Sequence, residues 1–507
     1  MKTFNDLITP EMKTIAVVCN QWGDTGKGKF VDYIAQYWAD IIARGTGGDN
    51  AGHTIKFDFN NETHVFHLLP SSSLHDKDGK INIIGSGVVI YPKTLCDEMR
   101  LLLKKGFSLN NLQISLRAKL ILPTHILQDR LKESLAGKEG GEKIGTTGKG
   151  ITPTYLDHVG RSGLIMNDLL NTNVFIEKIK KHLKNVRVLL KGYDLQLIRE
   201  ILNHDHLKNG IYFSETDIIN EDALISQYLK YANELDPFIR DTDSFLRSMA
   251  GKKNILLEGA QGHLLSIDYG TYPYVTSSDC TISGLAKGVG LKESCVDLEL
   301  GIIKGFCMSK VGEGPFPTEH GGKKSEEWCR KSGRKALERQ LFSSGRADIN
   351  SPDPFLQGIA IRVIGEEYGS TTGRPRRIGW LDLPLLRHAF KTSHKNLILT
   401  KLDILSGVKK IKICYAYRYK GVIYRFGEKR IQKGDVLRTA ISDANFLKDC
   451  EPLYKVFPGW EEDISGIRDY QGLPLNLRKI LDYLTEETGA KNKVISVGPK
   501  PEQTIIV

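Results

Sequence analysis

Thr14-Ile-Ala-Val-Val-Cys19 runs into Gln21-Trp-Gly-Asp-Thr-Gly-Lys-Gly-Lys29, and Phe30 to Asp40 follows with Val31, Ile34 and Trp38 spaced for one helical face. A β-branched run, a glycine loop and an amphipathic helix in that order open a nucleotide-binding α/β fold. The loop fits G-x-x-x-x-G-K from Gly23 to Lys29, with Gly26, Lys27 and Gly28 inside it. Phe30, however, stands where a P-loop carries Ser or Thr. That hydroxyl holds Mg²⁺ in a P-loop, so a metal here needs another ligand. Asp24 offers the hard carboxylate oxygen that Mg²⁺ prefers. The competing reading of the same residues is a glycine-rich turn with solvated lysines.

Working outward, Ile81-Asn-Ile-Ile84, Asn254-Ile-Leu-Leu257 and Leu397-Ile-Leu-Thr400 read as buried strands. Each ends in polar or glycine residues, where a parallel sheet presents its ligand edge. The expected fold class is α/β: a large, mostly parallel central sheet flanked by helices, with P-loop-like nucleotide-binding architecture. Segments 174–250 and 474–488 carry a helical pattern. The stretch 320–368, rich in Lys, Arg, Ser and Gly, reads as a surface insertion. From Lys409 to Lys433, Ile411, Ile413, Tyr415, Tyr417 and Tyr419 alternate with Lys412, Arg418 and Lys420, which predicts a hairpin with a solvated basic face. That reading outweighs an RNA-binding one. No repeat and no Pro- or Ser-rich linker divides the chain, so 1–507 is expected to be a single catalytic domain.

Composition narrows the class. With 40% hydrophobic and 26% charged residues among 507, the chain is neither disordered nor of low complexity. A net charge of +11 favours anionic partners without choosing among them. Eight cysteines without a C-x-x-C pair argue against a disulfide framework or zinc site and for a reducing compartment. No apolar run reaches the roughly 18 residues of a membrane helix. The start, MKTFNDLITPEMKT, lacks the apolar core of a signal peptide, so a cytoplasmic protein is expected.

Four further loops carry chemistry. Gly47-Gly-Asp-Asn-Ala-Gly-His53-Thr54 places one histidine beside a phosphate loop, where an imidazole can act as acid or oxyanion stabiliser. Ile144-Gly-Thr-Thr147-Gly-Lys-Gly150 has the backbone N–H groups and hydroxyls to hold a monophosphate. Gly369-Ser-Thr-Thr-Gly-Arg374-Pro-Arg376-Arg377 gathers guanidinium groups suited to carboxylates or phosphates, with a solvated basic loop as the plainer alternative. Thr400-Lys401-Leu-Asp403, straight after a strand, has an Asp that can accept the N1 and N2 protons of guanine and so reject adenine. A triphosphate, a monophosphate and a carboxylate-bearing substrate together suggest a ligase.

These stretches resemble the adenylosuccinate synthetase family. Asn50-Ala-Gly-His-Thr54, Glu258-Gly-Ala-Gln-Gly262, Gly270-Thr-Tyr-Pro-Tyr-Val-Thr-Ser277, Gly314-Pro-Phe-Pro-Thr-Glu319 and Ile495-Ser-Val-Gly-Pro499 extend the series in family order. The resemblance implies condensation of IMP with L-aspartate, driven by GTP and Mg²⁺. On that analogy Asp24 removes the N1 proton and ligates Mg²⁺, with the Gly52 backbone supporting the metal. His53, Lys27 and Gln261 join it as catalytic residues, with Lys27 and Lys29 neutralising charge as the phosphoryl group moves. IMP is expected at Asp24, Asn50, Thr147, Gln261, Thr276 and Arg374, with Arg161 reaching across a homodimer. Aspartate is expected among Thr371, Thr372, Arg374 and Arg376. GTP is expected at Gly23, Gly26, Lys27, Gly28, Lys29, Thr54, Arg376, Lys401, Asp403, Ser496 and Gly498.

The family pattern is broken at Thr25, where a Glu normally follows the loop Asp, and at His263 and Ser266, where Thr and Asp are usual near the base. Pro375 also replaces an Arg or Lys of many members. Two alternatives are a phage-type 2-aminoadenylosuccinate synthetase acting on dGMP, usually marked by loss of the loop Asp that is present here, and a nucleotide-binding regulatory protein. Membrane and nucleic-acid partners are not expected.

Overall fold

In the computed structural model the described residues are 6–56, 63–74, 79–138, 143–203, 218–369 and 373–507, with the backbone alone described at 53–56, 63, 64 and 138. Thr14–Cys19 is a strand buried along its whole length. It lies near the middle of a ten-stranded sheet, flanked by Ile255–Glu258 on one side and Leu298–Lys304 on the other. Beyond Ile255–Glu258 come Ile41–Arg44, Ile81–Ile84, Leu112–Ser115 and Ile239–Arg240; beyond Leu298–Lys304 come Asn396–Thr400, Lys491–Ser496 and Thr504–Ile506. Every pairing is parallel except the last, between Lys491–Ser496 and Thr504–Ile506. Parallel strands buried on both faces read as continuous apolar runs, which is why they stood out in the sequence. All the expected strands are present, and the helix after the glycine loop covers Lys27–Tyr37.

The helical segment resolves into Thr172–Leu190, Leu195–Leu202, Glu221–Leu235 and Thr242–Met249. Phe175, Ile179, Leu183 and Val186, at helical spacing, bury one face in a cluster with Leu95, Met99 and Leu102. Leu475–Thr488 is helical as expected. Among the described residues no helix is long and apolar enough to cross a membrane.

Two expectations need correction. Lys410–Tyr419 is not the first arm of a hairpin over 409–433. It pairs antiparallel with Cys450–Pro458 and parallel with Arg377–Asp382 in a second sheet. The hairpin is the shorter Ile423–Phe426 with Lys429–Gln432. Pairing between strands far apart in sequence leaves no local signal, and the nearer alternation was misleading.

The stretch 320–368 is also more than a surface insertion. It forms helices Gly322–Cys329, Arg334–Ser343 and Pro354–Gly365, and the last buries Phe355, Ile359, Ala360, Ile361 and Arg362. Arg362 donates from Nε and Nη2 to Glu338, both side chains being fully buried, and Tyr368 and Trp328 donate to the same carboxylate. A fully used buried carboxylate needs its cation. Glu338→Ala is therefore expected to cost about 3–5 kcal/mol in urea unfolding, because it strands a buried guanidinium. Replacing both partners by apolar residues (Glu338→Leu with Arg362→Met) is expected to recover most of that loss.

Candidate active site

Loops that follow the carboxyl ends of the central strands converge on two adjoining pockets, as open parallel sheets favour. The glycine loop after Cys19 lies between them. Its neighbour, the Gln261-Gly262 turn after Ile255–Glu258, packs so tightly that a Cβ on Gly262 would stand 2.3 Å from the Gln21 carbonyl oxygen. Asp24 and Gln261 both hold left-handed backbone, φ 51 and 48, conformations that cost a non-glycine residue energy and concentrate at functional sites.

The first pocket is lined by Asp24, Lys27, Asn50, Gly52, Thr147, Gln261 and Thr276, seven residues drawn from five separate stretches of sequence. Gln261 donates from Nε2 to Asn50 Oδ1 at 3.1 Å, and Lys27 donates to the Gln261 carbonyl at 2.5 Å. Helix Lys27–Tyr37 begins at this loop with Gly26 as its left-handed cap and no acidic residue in its first turn, leaving its N–H groups for an anion. The pocket also exposes residues that sequence reasoning missed. Asp129 accepts the Gly150 N–H at 3.0 Å and Glu133 the Gly145 N–H at 2.7 Å, so one helix braces both ends of the Thr147 loop. Lys310 lies in the wall against the Trp22 and Tyr274 rings, and burial pushes its amine down to about 7.

The second pocket is lined by Gly26, Lys29, Lys401, Asp403, Ser496 and Gly498, which brings together residues from three separate stretches. Lys29 is held by the closing segment of the chain. It donates to Ser496 Oγ, the Gly498 carbonyl and the Gln503 carbonyl at 2.8, 2.8 and 3.0 Å. Burial lowers its amine to about 7, with Asp403 pulling the other way. Burial raises the Asp403 carboxyl, opposed by Lys401 and Lys29.

Arg376 lines neither pocket but ties Asp24 of the glycine loop to the buried carboxylate of Glu367. Its Nε lies 2.9 Å from Asp24 Oδ2, and its Nη1 lies 2.9 Å from Glu367 Oε2. Glu367, itself buried, also takes the fully buried Lys304 ammonium at 2.5 Å and directly follows Gly365 and Glu366 of the second pocket. No sequence pattern announces Lys304 or Glu367, because the partners lie 63 residues apart. Arg374 is exposed and lines neither pocket. Thr371 and Thr372, and the side chains of His53 and Thr54, lie outside the described residues. Arg161 sits on an exposed turn with φ 62 and lines neither pocket.

The departures at His263 and Ser266 do not touch either pocket. His263 is buried behind the Gln261 turn, with Nε2 2.6 Å from Thr392 Oγ1, and burial lowers its imidazole to about 4. Ser266 donates to Asp279 Oδ1. Thr25 is buried, its carbonyl accepting from the Thr400 hydroxyl at 2.8 Å, which ties the glycine loop to the second pocket.

Comparison with known proteins agrees with this geometry. The sequence profile of the adenylosuccinate synthetase family matches residues 16–505. The adenylosuccinate synthetase of Halothermothrix orenii is 39% identical over 491 residues, covering 96% of this chain and 97% of the relative. That of Lysinibacillus sphaericus is 38% identical over 500 residues, covering 98% and 99%. The fully ligated adenylosuccinate synthetase of Plasmodium falciparum superposes with a TM-score of 0.78 at 30% identity, covering 98% of this chain and all of that one. The chain belongs to the adenylosuccinate synthetase family, GTP-dependent ligases that join IMP to L-aspartate.

Proposed function

We propose that the first pocket holds IMP, the second GTP, and that Asp24 is the general base between them. The observation that carries this is Asp24 itself: a carboxylate on the phosphate loop, lining the first pocket and paired with Arg376 at its border with the second. The 6-oxo group of a purine leaves poorly. Asp24 takes the N1 proton, O6 forms a bond to the γ-phosphorus of GTP, and the bond to the β-phosphate oxygen breaks to release GDP. The aspartate amine then attacks C6, and phosphate leaves. Lys27 and the helix N-terminus stabilise charge on the phosphoryl oxygens as it moves. Arg376 exchanges Asp24 for a carboxylate of L-aspartate, with Thr371, Thr372 and Arg374 completing that subsite.

Mg²⁺ fits the donor set. Two loops of the first pocket offer the Asp24 carboxylate and the Gly52 backbone, hard oxygens without thiolate or imidazole competitors among the described residues. Asp24 and Gly52 would hold the ion, which neutralises phosphate charge when bound. A homodimer with Arg161 acting in trans completes the reading. It is supported by a guanidinium with no side-chain partner among the described residues, flanked by the exposed apolar Leu156 and Val159.

The direct test is phosphate release by the purified protein with IMP, L-aspartate and GTP. Release is expected to require aspartate and to be lost when dGMP replaces IMP; release only with dGMP would overturn the assignment of the first pocket. For the second pocket, Asp403→Asn is expected to raise the GTP KM by about 10- to 100-fold, the size of one lost charge-assisted hydrogen-bond pair. The same change should improve xanthosine triphosphate, whose O2 accepts from the new amide. A wild-type preference for ATP would remove the guanine reading.

A further inference from the structure

Outside both pockets, His125 Nε2 and His182 Nδ1 each lie 3.1 Å from the same oxygen of Asp157. Two imidazoles and a carboxylate this close have the make-up of a metal site, and here both rings are placed to donate hydrogen bonds to the carboxylate. The Leu122 backbone N–H donates to His125 Nδ1 at 3.0 Å, so that nitrogen is bare and the proton sits on Nε2, aimed at Asp157. An ionised carboxylate only accepts, so His182 donates to it from Nδ1, while its Nε2 lies 2.8 Å from the Thr124 hydroxyl. Both rings thus converge as donors on one carboxylate oxygen. Burial pushes His125 down to about 4. Burial alone would raise Asp157, but the two imidazole hydrogen bonds hold it well below the usual carboxylate range.

Asp157 has a second task. It lies in the last turn of helix Ile151–Val159, and its backbone carbonyl accepts the N–H groups of Ser162 and Gly163 at 2.9 and 3.0 Å. Arg161 stands inside that turn, its own N–H bound to the His158 carbonyl at 3.0 Å and its φ at 62. The turn folds back so closely that a Cβ on Gly163 would stand 3.0 Å from the His158 nitrogen. The side chain of Asp157 is thus clamped by two buried histidines while its carbonyl shapes the strained turn. A left-handed arginine on an unsupported turn would relax and lose its aim.

We infer that His125 and His182 are positioning residues for the reaction: acting through Asp157, they hold Arg161 ready for the IMP phosphate in the partner subunit's site. The inference rests on the trans reading of Arg161. Their effect then appears in the other subunit's site, whereas general damage to the fold would fall on the subunit that carries the change.

The test uses hybrid dimers isolated through two different affinity tags. Asp157→Ala homodimers are expected to raise the IMP KM about tenfold with little change in kcat, the size of one charge-assisted hydrogen bond. Paired with Asp24→Ala, the only active site left in the hybrid uses the Asp24 of the first chain and the intact Arg161 turn of the second. Its IMP KM is expected to return to the wild-type value. An IMP KM that stays raised means that Asp157 acts within its own subunit, which overturns the inference. The control pairs Arg161→Leu with Asp24→Ala. An inactive control overturns the trans reading itself, whereas an active control with a raised KM in the Asp157→Ala hybrid overturns only the role of the clamp. Should Asp157→Ala not fold, Asp157→Asn carries the same comparison, with a rise of about threefold expected.

Discussion

Asp24→Asn is expected to lower turnover by at least about 10²- to 10⁴-fold, the range for removing a general base, with loss of a metal ligand adding to it. The substitution is chosen to leave the fold alone. Asp24 sits at φ 51, and asparagine tolerates left-handed backbone as well as aspartate does. Arg376 keeps Glu367 as a carboxylate partner, so its charge is not stranded. Binding of IMP and GTP, followed by tryptophan fluorescence from Trp22 in the first pocket, should persist while phosphate release disappears. Turnover within tenfold of wild type would show that the N1 proton leaves by another route.

The parts of this site that were legible in the sequence share one property: their chemistry is local. Gly23 to Lys29, Asn50 to Thr54, Ile144 to Gly150 and Thr400 to Asp403 each gather small, hydroxyl or charged residues in one short run, and each lines a pocket by residues of that run. What was hidden is held by long-range pairing. Lys304 and Glu367 meet only because Leu298–Lys304 ends beside the turn after helix Pro354–Gly365. The stretch 320–368 looked like a solvated excursion because its first two helices are rich in Lys and Arg; its third is core, and its buried Arg362 has the composition of a surface. Asp129 and Glu133 were invisible for another reason. They lie on a helix, Pro123–Lys138, that has no unusual pattern of its own, and act on a loop that does. His263 is the converse case, a family departure that draws attention in the sequence yet faces Thr392 and His388 and lines neither pocket.

The same long-range network leads to the other large effect, at Arg376. Its guanidinium bridges Asp24 and Glu367, and the neighbouring Lys304 leaves Glu367 neutralised even when Arg376 is gone. Arg376→Leu should therefore fold, since no buried carboxylate loses its only cation. What it loses is the planar fork that can hold a substrate carboxylate beside the general base. Truncating one partner of a buried, hydrogen-bonded charge pair costs about 2–5 kcal/mol, so kcat/KM for L-aspartate is expected to fall by roughly 10²- to 10³-fold. Arg376→Lys should rescue little of this, because a point charge on a flexible stem cannot pair with Glu367 and a substrate carboxylate in the same geometry. The IMP KM separates this from general damage. IMP contacts assigned to Asn50, Thr147 and Gln261 do not involve Arg376, so that constant is expected to stay within about threefold, inside the variation of one weak hydrogen bond. If the IMP KM rises as steeply as that for L-aspartate, Arg376 organises the first pocket as a whole, and the carboxylate subsite must be sought among the other cations of the Gly369–Arg377 loop.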